Sequence, residues 1–88
     1  MKRILCLDYG EKRIGLALSD PLKIIAYPYK TIMNFGLNNL KYEIKKIIVK
    51  ETIESIVIGL PIGLNGKDTI QTKKVREFRL QILDLNIP

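Results

Sequence analysis

Asp8 closes the apolar run Arg3-Ile4-Leu5-Cys6-Leu7-Asp8 and stands directly before the polar turn Tyr9-Gly10-Glu11-Lys12. A carboxylate at the carboxyl end of a strand is held by a rigid element and projects into the cleft there. Such a position suits a hard cation such as Mg²⁺, which takes oxygen ligands and keeps several waters. In two-metal phosphodiester chemistry a shared carboxylate helps hold both ions, which stabilise the attacking and leaving oxygens. On Asp-x-Gly alone, an aspartate that merely starts a hairpin turn is the commoner case. Gly10 is available for a positive φ in that turn. Arg13, across the turn, is of the type that clamps a phosphate bidentately, although a solvated charge at a strand end is the plainer reading. Gly15 lies inside an apolar stretch, where glycine permits close approach of another backbone or marks a bulge. Farther on, Gly59-Leu60-Pro61 and Asn65-Gly66 offer a loop beside a bound strand of nucleic acid, or an ordinary strand-to-helix connection. Gln71, Lys73, Lys74, Arg76 and Arg79 could together form a basic face for a phosphate backbone or, more commonly, a solvated helix face.

Composition narrows the chemistry. The chain has 88 residues, one cysteine and no histidine. Zinc sites and Cys–His or Ser–His catalysis therefore lack their residues, and any chemistry falls to carboxylates. A single thiol, Cys6, forms no internal disulfide, reads as a small core hydrophobe, and fits a reducing cytoplasm. The net charge of +6 favours nucleic-acid partners. A Lys-, Ile- and Asn-rich composition of the kind AT-biased coding produces accounts for it equally well. No apolar run approaches the ~20 residues of a membrane span, and no signal peptide or membrane partner is expected. One domain is the ceiling for this length, and a chain this short buries only about two thirds of its unfolded surface.

The elements that must hold these residues follow from periodicity. Arg3 to Asp8 reads as a central strand and Arg13 to Ser19 as its hairpin partner. Ile24 to Ile32 reads as a third strand, placed at a sheet edge by Pro28, which has no N–H for the ladder. The polar stretch Asn34 to Asn39 offers a helix cap, and Leu37, Leu40, Ile44, Ile47 and Ile48 recur at helical spacing. Ser55 to Leu60 reads as a buried fourth strand, parallel to the first because a helix separates them. Val75, Phe78, Ile82 and Leu85 mark one face of a second helix. The order β-β-β-α-β-α, an α/β arrangement with a mixed sheet, opens the ribonuclease-H-like plan, and the actin-like ATPase half-domain starts in the same way.

Several motifs then fall in one order. Asp8-Tyr9-Gly10-Glu11-Lys12-Arg13-Ile14-Gly15 looks like D-x-G-x-x-R-x-G. Ser19-Asp20-Pro21, Thr31-Ile32, Ile56-Val57-Ile58-Gly59-Leu60-Pro61, Asn65-Gly66, and Gln71, Val75, Arg76 and Phe78 follow at matching distances. In this the whole chain resembles the YqgF/RuvX-type, Holliday-junction-resolvase-like family, also called pre-16S ribosomal RNA nucleases. The resemblance implies a ribonuclease-H-like fold and phosphodiester hydrolysis dependent on Mg²⁺ or Mn²⁺. It implies a role in processing the 5′ end of the small-subunit ribosomal RNA precursor, with DNA junctions ranked lower as substrate. Asp8 becomes the catalytic and metal-binding carboxylate. Gly10, Arg13, Gly15, Asn65, Lys73, Lys74 and Arg76 become the expected nucleic-acid contacts.

One departure matters. Members of the family continue into a fifth strand carrying D-E-R-x-[TS] and then helices with a further aspartate, and neither stands before Pro88. One carboxylate cannot hold a two-metal site. The expected domain, residues 1–88, is therefore incomplete, truncated before the fifth strand and C-terminal helices. The exposed edge of the fourth strand then invites self-association. A catalytically inactive RNA-binding fragment and a nucleotide-binding module of the actin-like or sugar-kinase class are the other expectations.

Overall fold

A strand in the middle of a sheet must be apolar on both faces, and Arg3–Asp8 (β1) meets that condition. In the computed structural model of the chain, β1 pairs antiparallel with β2 (Arg13–Ser19) and parallel with β4 (Ile53–Ile58). β3 (Ala26–Met33) pairs antiparallel with β2, so the sheet order is β3-β2-β1-β4. The structure describes residues 2–20, 22, 25–61 and 66–85.

Pro28 sits on the edge strand, as its missing donor requires. The ladder shifts register there: Leu16 faces Lys30 while Ala17 faces Pro28, which is a bulge on β3. The third strand runs two residues later at its start than the apolar run implies, and Ile24 lies outside the described residues.

α1 (Leu37–Glu51) carries β3 across to β4 and buries Leu40, Ile44 and Ile47, spaced four and three residues apart on one stripe. The polar stretch before it does not cap it in the expected way. Gly36, at φ 108°, is the N-cap and no side chain bonds the first turn. Instead the Asn34 Oδ1 accepts from the Gly36 N–H at 3.1 Å, shaping the entry to the helix. Thr52 ends α1 in the left-handed region, φ 56°, and its N–H returns to the Ile48 carbonyl. That one residue reverses the chain, so Ile53 already pairs with Arg3 and β4 starts two residues earlier than Ser55.

α2 (Ile70–Gln81) begins with a reciprocal capping box. Thr69 Oγ1 accepts from the Thr72 N–H at 3.2 Å, and the Thr69 N–H donates to Thr72 Oγ1 at 3.0 Å. The fully buried Thr72 hydroxyl also donates to the Pro61 carbonyl, tying the turn after β4 to the helix. A single 3-10 turn, Leu83–Leu85, follows.

Both helices pack on the same face of the sheet. Leu5 and Leu7 of β1 and Ile14, Leu16 and Leu18 of β2 form one cluster with Leu40, Ile44 and Ile47 of α1, Phe78 of α2 and Ile82 at its C-cap. The opposite face carries neither of these helices. At the far end of the sheet from Asp8, Arg3 bonds the Tyr27 hydroxyl, and the Tyr29 hydroxyl donates to Glu51 Oε2 at 3.2 Å. No helix among the described residues is long and apolar enough to cross a membrane.

Candidate functional site

Side chains alternate along a strand, so burying Leu5 and Leu7 under the helices sends Asp8 to the bare face. The register sets Asp8 opposite Gly15, and a Cβ on Gly15 would lie 3.6 Å from the Cβ of Asp8. Glycine there leaves the space above the carboxylate open. The parallel ladder continues past β4, where the Gly59 N–H donates to the Leu7 carbonyl at 3.0 Å. The Gly59-Leu60-Pro61 turn thereby ends beside Asp8. A shallow hollow of about 480 Å³ runs along this face between Asp8, Gly15, Cys6, Ala17, Val57 and Gly59.

The turn after Asp8 is narrow. A Cβ on Gly10 would collide with the Arg13 carbonyl, so glycine is required for close backbone approach. A positive φ is not the reason, as among the described glycines it is Gly36 and Gly66 that adopt one. Two neighbours hold the turn. Gln71 Nε2 of α2 donates to the Tyr9 carbonyl at 3.0 Å, and the Tyr9 ring stacks on Phe78 with centroids 4.5 Å apart. From the other side, Asn34 Nδ2 donates to the Gly10 carbonyl at 2.9 Å and the Asn34 N–H to the Lys12 carbonyl at 2.9 Å. Arg13 is exposed at the start of β2, on the loop's far end.

The basic helix face is partly committed to internal pairs. Lys74 bonds Glu11 in the turn, and that bond and its charge hold the Glu11 carboxyl below the ordinary carboxylate value. Arg76 pairs with Asp68 just before α2. Lys73 and Arg79 are exposed. The structure thus brings Asp8, Gly10, Gly15 and Lys74 to one end of the sheet, with Arg13 at the rim. Arg76 is turned toward Asp68. Asn65 lies outside the described residues, while Gly66 beside it has φ 76°. Asn34 is a residue that periodicity does not single out. Its partner lies 24 residues away in sequence, and no local pattern shows such a bond.

A hard divalent cation needs more oxygen donors than Asp8 alone provides. Among the described residues no group of three His, Cys, Asp or Glu is placed to hold a metal ion. Asp8 fits one ligand position, but the described donor set does not complete a site.

Relatives and solved structures place this arrangement. A curated protein of Maridesulfovibrio salexigens, called "Putative pre-16S rRNA nuclease", is 45% identical over 76 residues, covering 86% of this chain and 56% of its own length. One of the same name in Mycoplasma mobile is 40% identical, covering 98% of this chain and 62% of its own. The chain thus spans little more than half the length of the curated relatives it matches. Among solved structures, RuvC of T. thermophilus in complex with a Holliday junction substrate superposes with a TM-score of 0.66 at 11% identity, over 100% of this chain and 62% of that one. A sugar kinase-like protein of Cytophaga hutchinsonii follows at TM-score 0.51 and 16% identity, over 91% of this chain and 34% of its own. Both likenesses concern the fold, and the first makes it ribonuclease-H-like. The family model described as "RuvX: Holliday junction resolvase" matches residues 2–86, and the chain belongs to that family.

Proposed function

We propose that this chain forms the nucleic-acid-facing and first-carboxylate part of a Mg²⁺- or Mn²⁺-dependent nuclease that processes the 5′ end of pre-16S ribosomal RNA in the cytoplasm. The observation that carries the reading is the open placement of Asp8. It stands at the carboxyl end of the central strand, opposite a glycine, in a chain whose family match runs almost end to end. When bound, the divalent cation would polarise the phosphodiester and activate water. Asp8 contributes one oxygen ligand, Gly15 keeps that position accessible, and Arg13 and Lys73 attract the phosphate backbone, while Lys74 is engaged with Glu11. The remaining ligands come from outside the described residues. Pre-ribosomal RNA is the preferred substrate, a reading supported by the curated relatives' names, and DNA junctions come second, supported by the fold likeness to RuvC. The outer edge of β4 is a surface for pairing with a second copy.

A second reading, RNA binding without cleavage, is favoured by one observation. The described residues bring no group of three His, Cys, Asp or Glu together to hold a metal ion. One assay separates the two. A precursor RNA fragment is incubated with Mg²⁺ or Mn²⁺ and either the wild-type chain or Asp8→Asn. Cleavage abolished by the substitution supports the nuclease. Cleavage that survives it sinks the role of Asp8. Salt-sensitive RNA binding with no cleavage from the folded wild type supports the binding fragment.

A further inference from the structure

The turn 9–12 has neither helix nor strand of its own, yet two side-chain amides converge on it, one from α2 and one from the link between β3 and α1. Gln71 holds the Tyr9 carbonyl at 3.0 Å and Asn34 holds the Gly10 carbonyl at 2.9 Å. Neither bond is needed to dock its own element. α2 is anchored by Val75, Phe78 and its C-cap Ile82, all buried, and β3 by its ladder with β2. Asn34 is also fully engaged, because its Oδ1 receives the Gly36 N–H while its Nδ2 reaches the turn. One residue therefore sets both the entry of α1 and the path of the turn. Asp8 stands at the start of this segment and Arg13 at its end, and both side chains are exposed.

We propose that Asn34 and Gln71 are positioning residues, which clamp consecutive carbonyls of the turn so that Arg13 is already in place for a nucleic-acid phosphate and Asp8 for the cation of the proposed function. The inference rests on the reading of this end of the sheet as the nucleic-acid-facing one. A clamped turn need not be ordered when the ligand arrives, and that ordering would otherwise weaken binding. The amides touch no phosphate, so they act through the turn.

The test keeps side-chain size and removes the amide, with Asn34→Leu, which also gives up the acceptor of the Gly36 N–H, and Gln71→Met. Binding to a short fluorescein-labelled single-stranded RNA is followed by anisotropy across a salt series, with Arg13→Ala alongside. Circular dichroism confirms that each variant is folded at the assay temperature, and amide hydrogen exchange is read across residues 9–12. Each amide variant is expected to bind about three- to tenfold more weakly, the range that follows from losing one net hydrogen bond. Their salt slopes should match the wild type, since no cation is lost. Arg13→Ala should flatten the slope by about 0.7, as for one phosphate contact on a single strand. A merely structural role would lower thermal stability and leave the affinity of the folded protein unchanged. Unchanged affinity in both amide variants overturns the proposal. Wild-type binding that is absent, or indifferent to Arg13→Ala, overturns the nucleic-acid reading and the proposal with it, and the exchange rates then show separately whether the turn was held.

Discussion

On one face of the sheet, Leu5, Leu7, Ile14, Leu16 and Leu18 are each no more than 4% exposed, sealed beneath α1 and α2. On the other, the same strands present Cys6, Gly15, Ala17 and Asp8, with Val57 of β4 about half exposed at 52%. The covered face holds large branched side chains that interlock with two helices. The bare face holds mostly small ones, and Asp8 stands where β1 ends. Alternation along β1 makes the two faces inseparable, because burying Leu7 is what exposes Asp8. Stability and the candidate chemistry are thus assigned to opposite sides of a single strand, six residues long.

The sharpest way to break that division is to shorten one side chain on each face. Ile44 of α1 is fully buried in the core. Ile44→Ala should cost about 2–5 kcal/mol, from lost burial and the cavity left behind. For a domain of this size that is a large share of the total stability. Val57→Ala on the bare face should cost about 1 kcal/mol or less, because half the side chain is already in water. Urea denaturation of both variants at low protein concentration checks the pair. An equal cost at the two positions would mean that the bare face is covered in solution, as a second copy would do.

A smaller effect is expected where the covered face joins β4. Thr52 adopts the left-handed conformation, which is costly for a β-branched residue. Thr52→Gly relieves that strain while adding freedom to the unfolded chain, and the net expectation is a gain of up to about 1 kcal/mol. A rise in the urea midpoint at unchanged slope supports it, and a fall would mean that the threonine side chain contributes contacts worth more than the strain.

Much of this division is legible in the residues. β1 and β2 begin and end where their apolar runs do, since a run flanked by charges and a glycine turn has few registers open to it. Pro28 marks the edge strand because a missing N–H has a single tolerable place in a sheet. Asp8 and Gly15 share a face by counting alone. The start of β4 was hidden, because Thr52 turns the chain in one residue and Glu54 breaks the apolar run before Ser55. The clamp on the turn was hidden too. Asn34 looks like a helix cap and Gln71 and Lys74 look like a solvated face, yet their partners lie 24, 62 and 63 residues away. Long-range polar pairing leaves no periodic trace, whereas burial does.

The smallest effect concerns the link between the two sides. Lys74 reaches from α2, on the covered side, to Glu11 in the turn that follows Asp8. The hydrogen bond and the charge of Lys74 hold the Glu11 carboxyl below its ordinary value of 4.5. A carboxyl lowered in the folded state stabilises the fold above its unfolded pKa, and that contribution is lost as pH falls through the lowered value. Both groups are open to solvent, so the effect is slight and screened by salt. Lys74→Met should therefore leave stability near neutral pH almost unchanged and remove a small part of the decline below pH 4.5. Thermal melts of the two proteins between neutral and acidic pH, at low and high salt, read the difference. If the wild type and the variant decline in parallel at low salt, the Lys74–Glu11 pair does not link the turn to the helix in solution, and the turn is held by Asn34, Gln71 and the Tyr9–Phe78 stack alone.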